Sequence, residues 1–211
     1  MSGNLVARSV HDLTAAAWFG GSLMGAIGLN GATAEAKDPT ERTRLSSLGW
    51  KKWAPVQTAA LAAHLATWGP ILWENKGRYT TQEGVMRWTW AKAGVTLAGA
   101  AVTLYAGVLG KKVDELSEQG AEGATEPAPT ASPELRKAQD QLRLLQWTIP
   151  AFAGTVIALG AQHGELQRAR NLRPRNLGTV KALGGLVPAK VLLDLIPAKR
   201  TFKVARWLLT S

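Results

Sequence analysis

Charged and apolar positions fall in alternating blocks along this chain of 211 residues. Four stretches, 13–34, 53–73, 93–110 and 144–164, contain no Asp, Glu, Lys or Arg, and they run 22, 21, 18 and 21 residues. At about 1.5 Å rise per residue, roughly 20 helical residues cross a hydrocarbon core about 30 Å thick. A soluble bundle of amphipathic helices would carry a polar stripe every three or four residues. Inside these stretches the polar positions are few, and most are Ser, Thr, Asn, Gln and His. The pattern predicts an all-α fold, an integral membrane four-helix bundle (residues 1–164) followed by an amphipathic basic tail (165–211).

Ala and Gly supply much of the apolar character, so each span needs its neighbours. Helices in lipid associate through close backbone approach, which small residues permit. Gly21 and Gly25 share one helix face, with Ala17 extending it, as do Gly94 and Ala98, and Gly160 and Gly164. These are the expected packing positions. Pro70 and Pro150 are expected to bend or loosen their helices. Indoles gather at membrane surfaces because they are apolar with one donor to satisfy. An up-and-down path puts Trp73, Trp88 and Trp90 at one surface and Trp50, Trp53 and Trp147 at the other.

The segment Ala32-Thr33-Ala34 has the small-x-small form of a signal-peptide cleavage site. The first apolar run exceeds the 7–15 residues of such peptides, however, and Asp12 interrupts the basic flank, so the span is read as retained. Charged residues make up only 19% of the chain, below the roughly 25% of soluble domains. The absence of Cys excludes a disulfide framework, thiolate metal sites and cysteine nucleophiles. Net charge is +10. With both termini cytoplasmic, the inner side holds 15 of the Lys and Arg residues, against five in each of the first and third connections. Only about half of the tail's ten cations lie close enough to the last span to count fully. The chain is accordingly read as a multi-pass protein of the cell membrane with both ends inside.

The connections differ in kind. Asp38-Pro39-Thr40-Glu41 reads as an N-cap, a first-turn proline and an acidic first turn, starting a short surface helix through Leu45 or Leu48. The loop 111–132 is expected to be mobile, because its centre is Glu, Gly, Ala, Pro and Thr with almost nothing to bury. Ser132-Pro133-Glu134 then starts a helix that continues unbroken into the fourth span. In the tail, Lys199, Lys203 and Arg206 project to one side of a helix and Val204, Leu208 and Leu209 to the other, with Trp207 at the boundary. That is the pattern of a helix lying on an anionic lipid leaflet; a loosely ordered solubilising tail is the alternative. Nucleic acid is a poor partner, since the cations flank apolar spans and form no basic, aromatic-studded face.

His11, His64 and His163 are the candidates for chemistry. His64 falls mid-span, where a polar side chain must face the bundle and commonly serves as an interhelical hydrogen bond, here to Gln57, Ser22 or a backbone carbonyl. His11 and His163 are expected to be level with one another, within a layer that includes Asp12, Glu74, Lys92 and Glu165. Phosphate loops, nucleophile elbows, paired catalytic carboxylates and metal-protease spacings are missing, which leaves no ground for a hydrolase or a nucleotide-driven machine. The run from His11 to Gly21, with His-x6-Trp-x-Gly-Gly spacing, resembles the first span of copper-resistance D-type membrane proteins. The membrane-type protoporphyrinogen oxidases, haem-binding four-helix proteins, open similarly, and the rest resembles small four-span bacterial membrane proteins. The resemblance implies a ligand or redox-linked role for His11, with haem or copper as cofactor and His64 or His163 as second ligand. By depth His64 is expected several turns below His11. The residues themselves favour a non-catalytic structural or accessory component of a membrane assembly with no cofactor. A small-solute carrier is the third reading, with His64 almost the sole polar group on its path.

Overall fold

A computed structural model describes residues 4–168. Among these, regular structure is helical apart from isolated bridge positions, Ala121 paired with Pro127 and, separately, Gln82. Helix α1, Asn4–Met24, passes through a π-helical segment, Gly25–Leu29, into α2, Asn30–Ala34. Helix α3 is Pro39–Ala66; the Asp38 side chain caps it by accepting from the Thr40 amide at 2.9 Å, with proline in the first turn. The cap agrees with the sequence reading, but the helix is not short. Nothing between Leu48 and Trp53 breaks it: Gly49 lies under Leu29, and Pro55 removes one donor on an exposed face.

The break comes at Thr67 instead. Pro70 has no N–H to offer the Ala66 carbonyl, so the chain restarts as α4, Trp68–Glu74, followed by α5, Lys76–Thr81. Gly84, at φ 81°, makes the left-handed turn into α6, Val85–Glu115. Helix α7, Pro133–Glu165, is capped by Ser132 and runs unbroken past Pro150, as the sequence predicts at its start.

Four rods result. Those of α1 and α6 stand on one diagonal and those of α3 and α7 on the other, each rod packed against its two antiparallel neighbours. Trp18 bridges the first diagonal. Fully buried, it donates from Nε1 to Thr103 Oγ1 at 3.1 Å, and its ring fills the space where a Gly99 side chain would begin. Ala15, Leu61, Ala100, Ile149, Ala153 and Val156 complete this core. Helices α6 and α7 are each long and apolar enough to cross a membrane, and only 28% and 22% of their most apolar windows is buried inside the protein.

The packing positions divide. Gly21 and Gly25 lie directly beneath the Trp53 and Trp50 rings, where any Cβ would enter the indole. Those two tryptophans are therefore half-buried on α1 rather than displayed at a surface, while Trp73 and Trp90 are 72% and 69% exposed. Gly94 and Ala98 face outward, since the inward side of α6 carries Thr96, Gly99, Ala100 and Thr103. Gly160 approaches Lys92, and Gly164 has open space around it.

The loop read as having nothing to bury is corrected by its packing. Ala121, Ala124, Thr125 and Ala128 are buried, and Gly120, at φ 71°, lets the chain turn tightly against Pro39. Its backbone is held by polar side chains of α7. Fully buried Gln139 donates to the carbonyls of Gly123 and Ala124 at 3.1 and 3.2 Å, and Arg136 to those of Ala128 and Pro129 at 3.2 Å. Composition misses this because what is satisfied is main chain, not apolar surface.

Candidate functional site

The register that puts Gly21 under Trp53 brings His11 and His64, about three turns further along α1 and α3, side by side. Their rings stack with centroids 3.8 Å apart and planes at 19°, and the residues are 6% and 1% exposed. This corrects the expected depth difference. The uncharged stretches of α1 and α3 are staggered, so the middle of one lies level with the start of the other.

Hydrogen bonds fix the protons. His64 Nδ1 lies 2.9 Å from the His11 carbonyl, which can only accept, so Nδ1 carries hydrogen. His11 Nδ1 faces the His64 carbonyl at 3.2 Å and Thr67 Oγ1 at 3.0 Å. Thr67 gives its own proton to the helix, at 2.8 Å from the His64 carbonyl, and so accepts from His11. A neutral ring protonated at Nδ1 presents a lone pair at Nε2. That of His11 receives Lys92 Nζ at 2.9 Å; that of His64 is buried without a partner. Three helices are thereby joined: α1 and α3 through the paired rings, α6 through the ammonium. Of the partners expected for His64, the backbone carbonyl is the one found; Gln57 accepts from Trp53 and Ser22 bonds within its own helix.

His163 stands apart from the stack. Its Nδ1 donates to the Leu159 carbonyl at 2.8 Å, and its Nε2 faces Thr89 Oγ1 at 3.2 Å, one turn from Lys92 on α6. Bis-imidazole haem ligation needs two nitrogens pointing at an iron between them, each about 2.0–2.1 Å away if iron–nitrogen bonds resemble those of other imidazole sites. Rings stacked at 3.8 Å leave no place for a macrocycle. Copper fares no better at His11, whose free nitrogen already faces an ammonium. The stacked His11–His64 pair as placed fits neither group.

Beyond this layer, Arg8 of α1 and Arg78 of α5 converge on Gln167. With its amide oxygen toward them, Gln167 accepts from Arg8 Nη1 at 3.1 Å and from Arg78 Nη1 at 3.0 Å. Arg78 also donates from Nε to Gln82 Oε1 at 3.0 Å and from Nη1 to Asn75 Oδ1 at 3.2 Å, while its Nη2 is buried without an acceptor. Burial, and then the like charge of Arg8, lower the Arg78 pKa from its ordinary value. Lys76 sits over the Trp73 ring at 4.0 Å, and Arg87 over Trp88 at 5.3 Å.

The sequence reading did not single out Trp18, Thr67, Arg78 or the pairing of Lys92 with His11. Trp18 was visible only as part of a motif, and a lone Arg in a connection carries no signal until the fold supplies its companion. Lys199, Lys203, Arg206 and Trp207 lie outside the described residues. No family model matches this chain, and comparison with curated proteins and with solved structures found no match.

Proposed function

We propose that the chain is a four-span integral membrane protein acting as a non-catalytic structural or accessory component of a membrane assembly, with both termini cytoplasmic. The observation that carries the reading is an inverted distribution of polarity. Ser22, Asn30, Ser46, His64, Thr96 and Thr103 are buried, whereas Leu13, Met24, Ile27, Leu97, Leu104, Val108 and Leu144 are each at least 55% exposed. In water such an apolar exterior promotes aggregation; in lipid it is the contact surface. Asn30 illustrates the interior: it donates to Gln146 Oε1 at 3.0 Å and accepts from Trp50 Nε1 at 2.9 Å, tying α2 to α7 and α3.

Charge distribution supports the same orientation. Segments 35–52 and 111–143 together hold ten cations, balanced by ten carboxylates, against 15 Lys and Arg in the termini and the second connection, and it is this excess of cations that favours both ends inside. Six ion pairs lie at the neutral end, Arg42–Glu122, Lys51–Asp114 and Lys112–Glu134 among them. The long stems of Lys51 and Lys52 allow their charges to reach the headgroup level from α3. His64, stacked under His11, acts as a clamp between helices; this argues against a role lining a solute path.

Two measurements test the reading. Washing membranes with alkaline carbonate is expected to leave the chain in the pellet, and its release would remove the membrane embedding. A mild-detergent pull-down of the full chain is expected to recover another membrane protein in fixed ratio. Recovery of the chain by itself would remove the accessory role.

A further inference from the structure

We propose that Arg8 and Arg78 form a binding site for a phosphate oxyanion, supplied by an anionic phospholipid headgroup or by free phosphate, which takes the position held here by the Gln167 amide oxygen. Two guanidiniums from elements far apart in sequence point at one neutral oxygen. Bringing like charges together on an amide leaves most of their attraction unused. An oxyanion in the same place makes charge-assisted, fork-shaped bonds of the kind arginine forms with phosphate. Among the described residues no carboxylate lies in ion-pair contact with either group, although Asp12, Glu74 and Glu83 belong to neighbouring segments.

Arg78 is preorganised for this task. Gln82 and Asn75 hold Nε and Nη1, which fixes the plane of the fork and leaves Nη2 buried without an acceptor. A phosphate bridging the pair offers further oxygens to that donor, which one amide oxygen does not. Burial, and then the like charge of Arg8, lower the Arg78 pKa, and pairing with an anion would offset both. The surroundings match a headgroup layer, with Trp73 exposed beneath Lys76 and Trp88 beneath Arg87. Lipid supply rests on the membrane reading above; the oxyanion chemistry does not.

The test uses the full chain purified in mild detergent and stripped of lipid. Native mass spectrometry then measures retention of phosphatidylglycerol against phosphatidylcholine, and a parallel thermal melt reads the effect of inorganic phosphate. Wild type is expected to prefer phosphatidylglycerol, and R8Q/R78Q to bind it roughly tenfold more weakly, the effect of losing at least one charge-assisted bond. The tail's cations are unchanged in that variant, so the difference reports the site alone. R8K/R78K keeps the charge without the fork and is expected to fall between the two; it also serves if R8Q/R78Q fails to fold. Stabilisation of wild type but not the variant by inorganic phosphate, without lipid preference, assigns the site to free phosphate. Equal retention of both lipids in wild type and variants, with no phosphate effect, overturns the site. Should that occur in a chain that still resists carbonate, the membrane reading stands and only the site falls.

Discussion

Trp18→Ala is expected to destabilise the bundle by about 3–5 kcal/mol, the range for removing a fully buried large aromatic. The ring crosses from α1 to α6, and no small neighbour can follow it into the space. Gly99 contributes no side chain, and Ala15, Ala100 and Ala153 are already small. The loss also strands Thr103, whose hydroxyl accepts from Nε1 while donating to the Gly99 carbonyl at 2.8 Å. Trp18→Phe should retain most of the packing and lose about 0.5–1.5 kcal/mol for the hydrogen bond, apart from any cavity cost. Unfolding in mixed micelles titrated with a denaturing detergent, followed by circular dichroism, measures both. A loss below about 1 kcal/mol for the alanine variant would show that Trp18 does not hold the axis.

His11→Leu should cost about 1–3 kcal/mol, because it leaves the Lys92 ammonium in a largely enclosed position without its acceptor. Adding Lys92→Met should recover most of that loss, since removing both polar partners leaves nothing unsatisfied. Recovery distinguishes the proposed clamp from simple packing. If the imidazole mattered only as volume, Lys92→Met would add its own loss to the first. The same unfolding titration reads the answer, and a double variant less stable than His11→Leu alone would contradict the pairing.

Much of the architecture could be read from the residues. Uncharged blocks separated by charged connections gave the helical rods, and Asp38-Pro39 and Ser132-Pro133 marked two helix starts. The stagger between α1 and α3 was hidden. It depends on which glycine each indole covers, and Gly21 and Gly25 fix it only once Trp53 and Trp50 are laid on them. That single register error displaced His64 by several turns and obscured its pairing with His11. Among the described helices only α6 and α7 are long and apolar enough to cross a membrane; α1 falls short, as does α3, which carries Lys51 and Lys52 and ends at Ala66. The loop from 117 to 132 was misread for another reason. Its anchors, Arg136, Gln139 and Arg143, sit on the following helix, where polar residues ordinarily face solvent. The Arg8–Arg78 convergence joins the amino terminus to the second connection, and nothing in either segment predicts the other.

The central claim is that the polypeptide crosses the bilayer four times, and the absence of native Cys makes it open to direct measurement. Single cysteines are placed at the exposed positions Lys37, Glu83 and Glu118, and intact cells are treated with a membrane-impermeant maleimide. The account predicts that Lys37→Cys and Glu118→Cys label from outside, while Glu83→Cys labels only after permeabilisation. Equal labelling at all three positions in intact cells, or opposite accessibility of Lys37→Cys and Glu118→Cys, would contradict it.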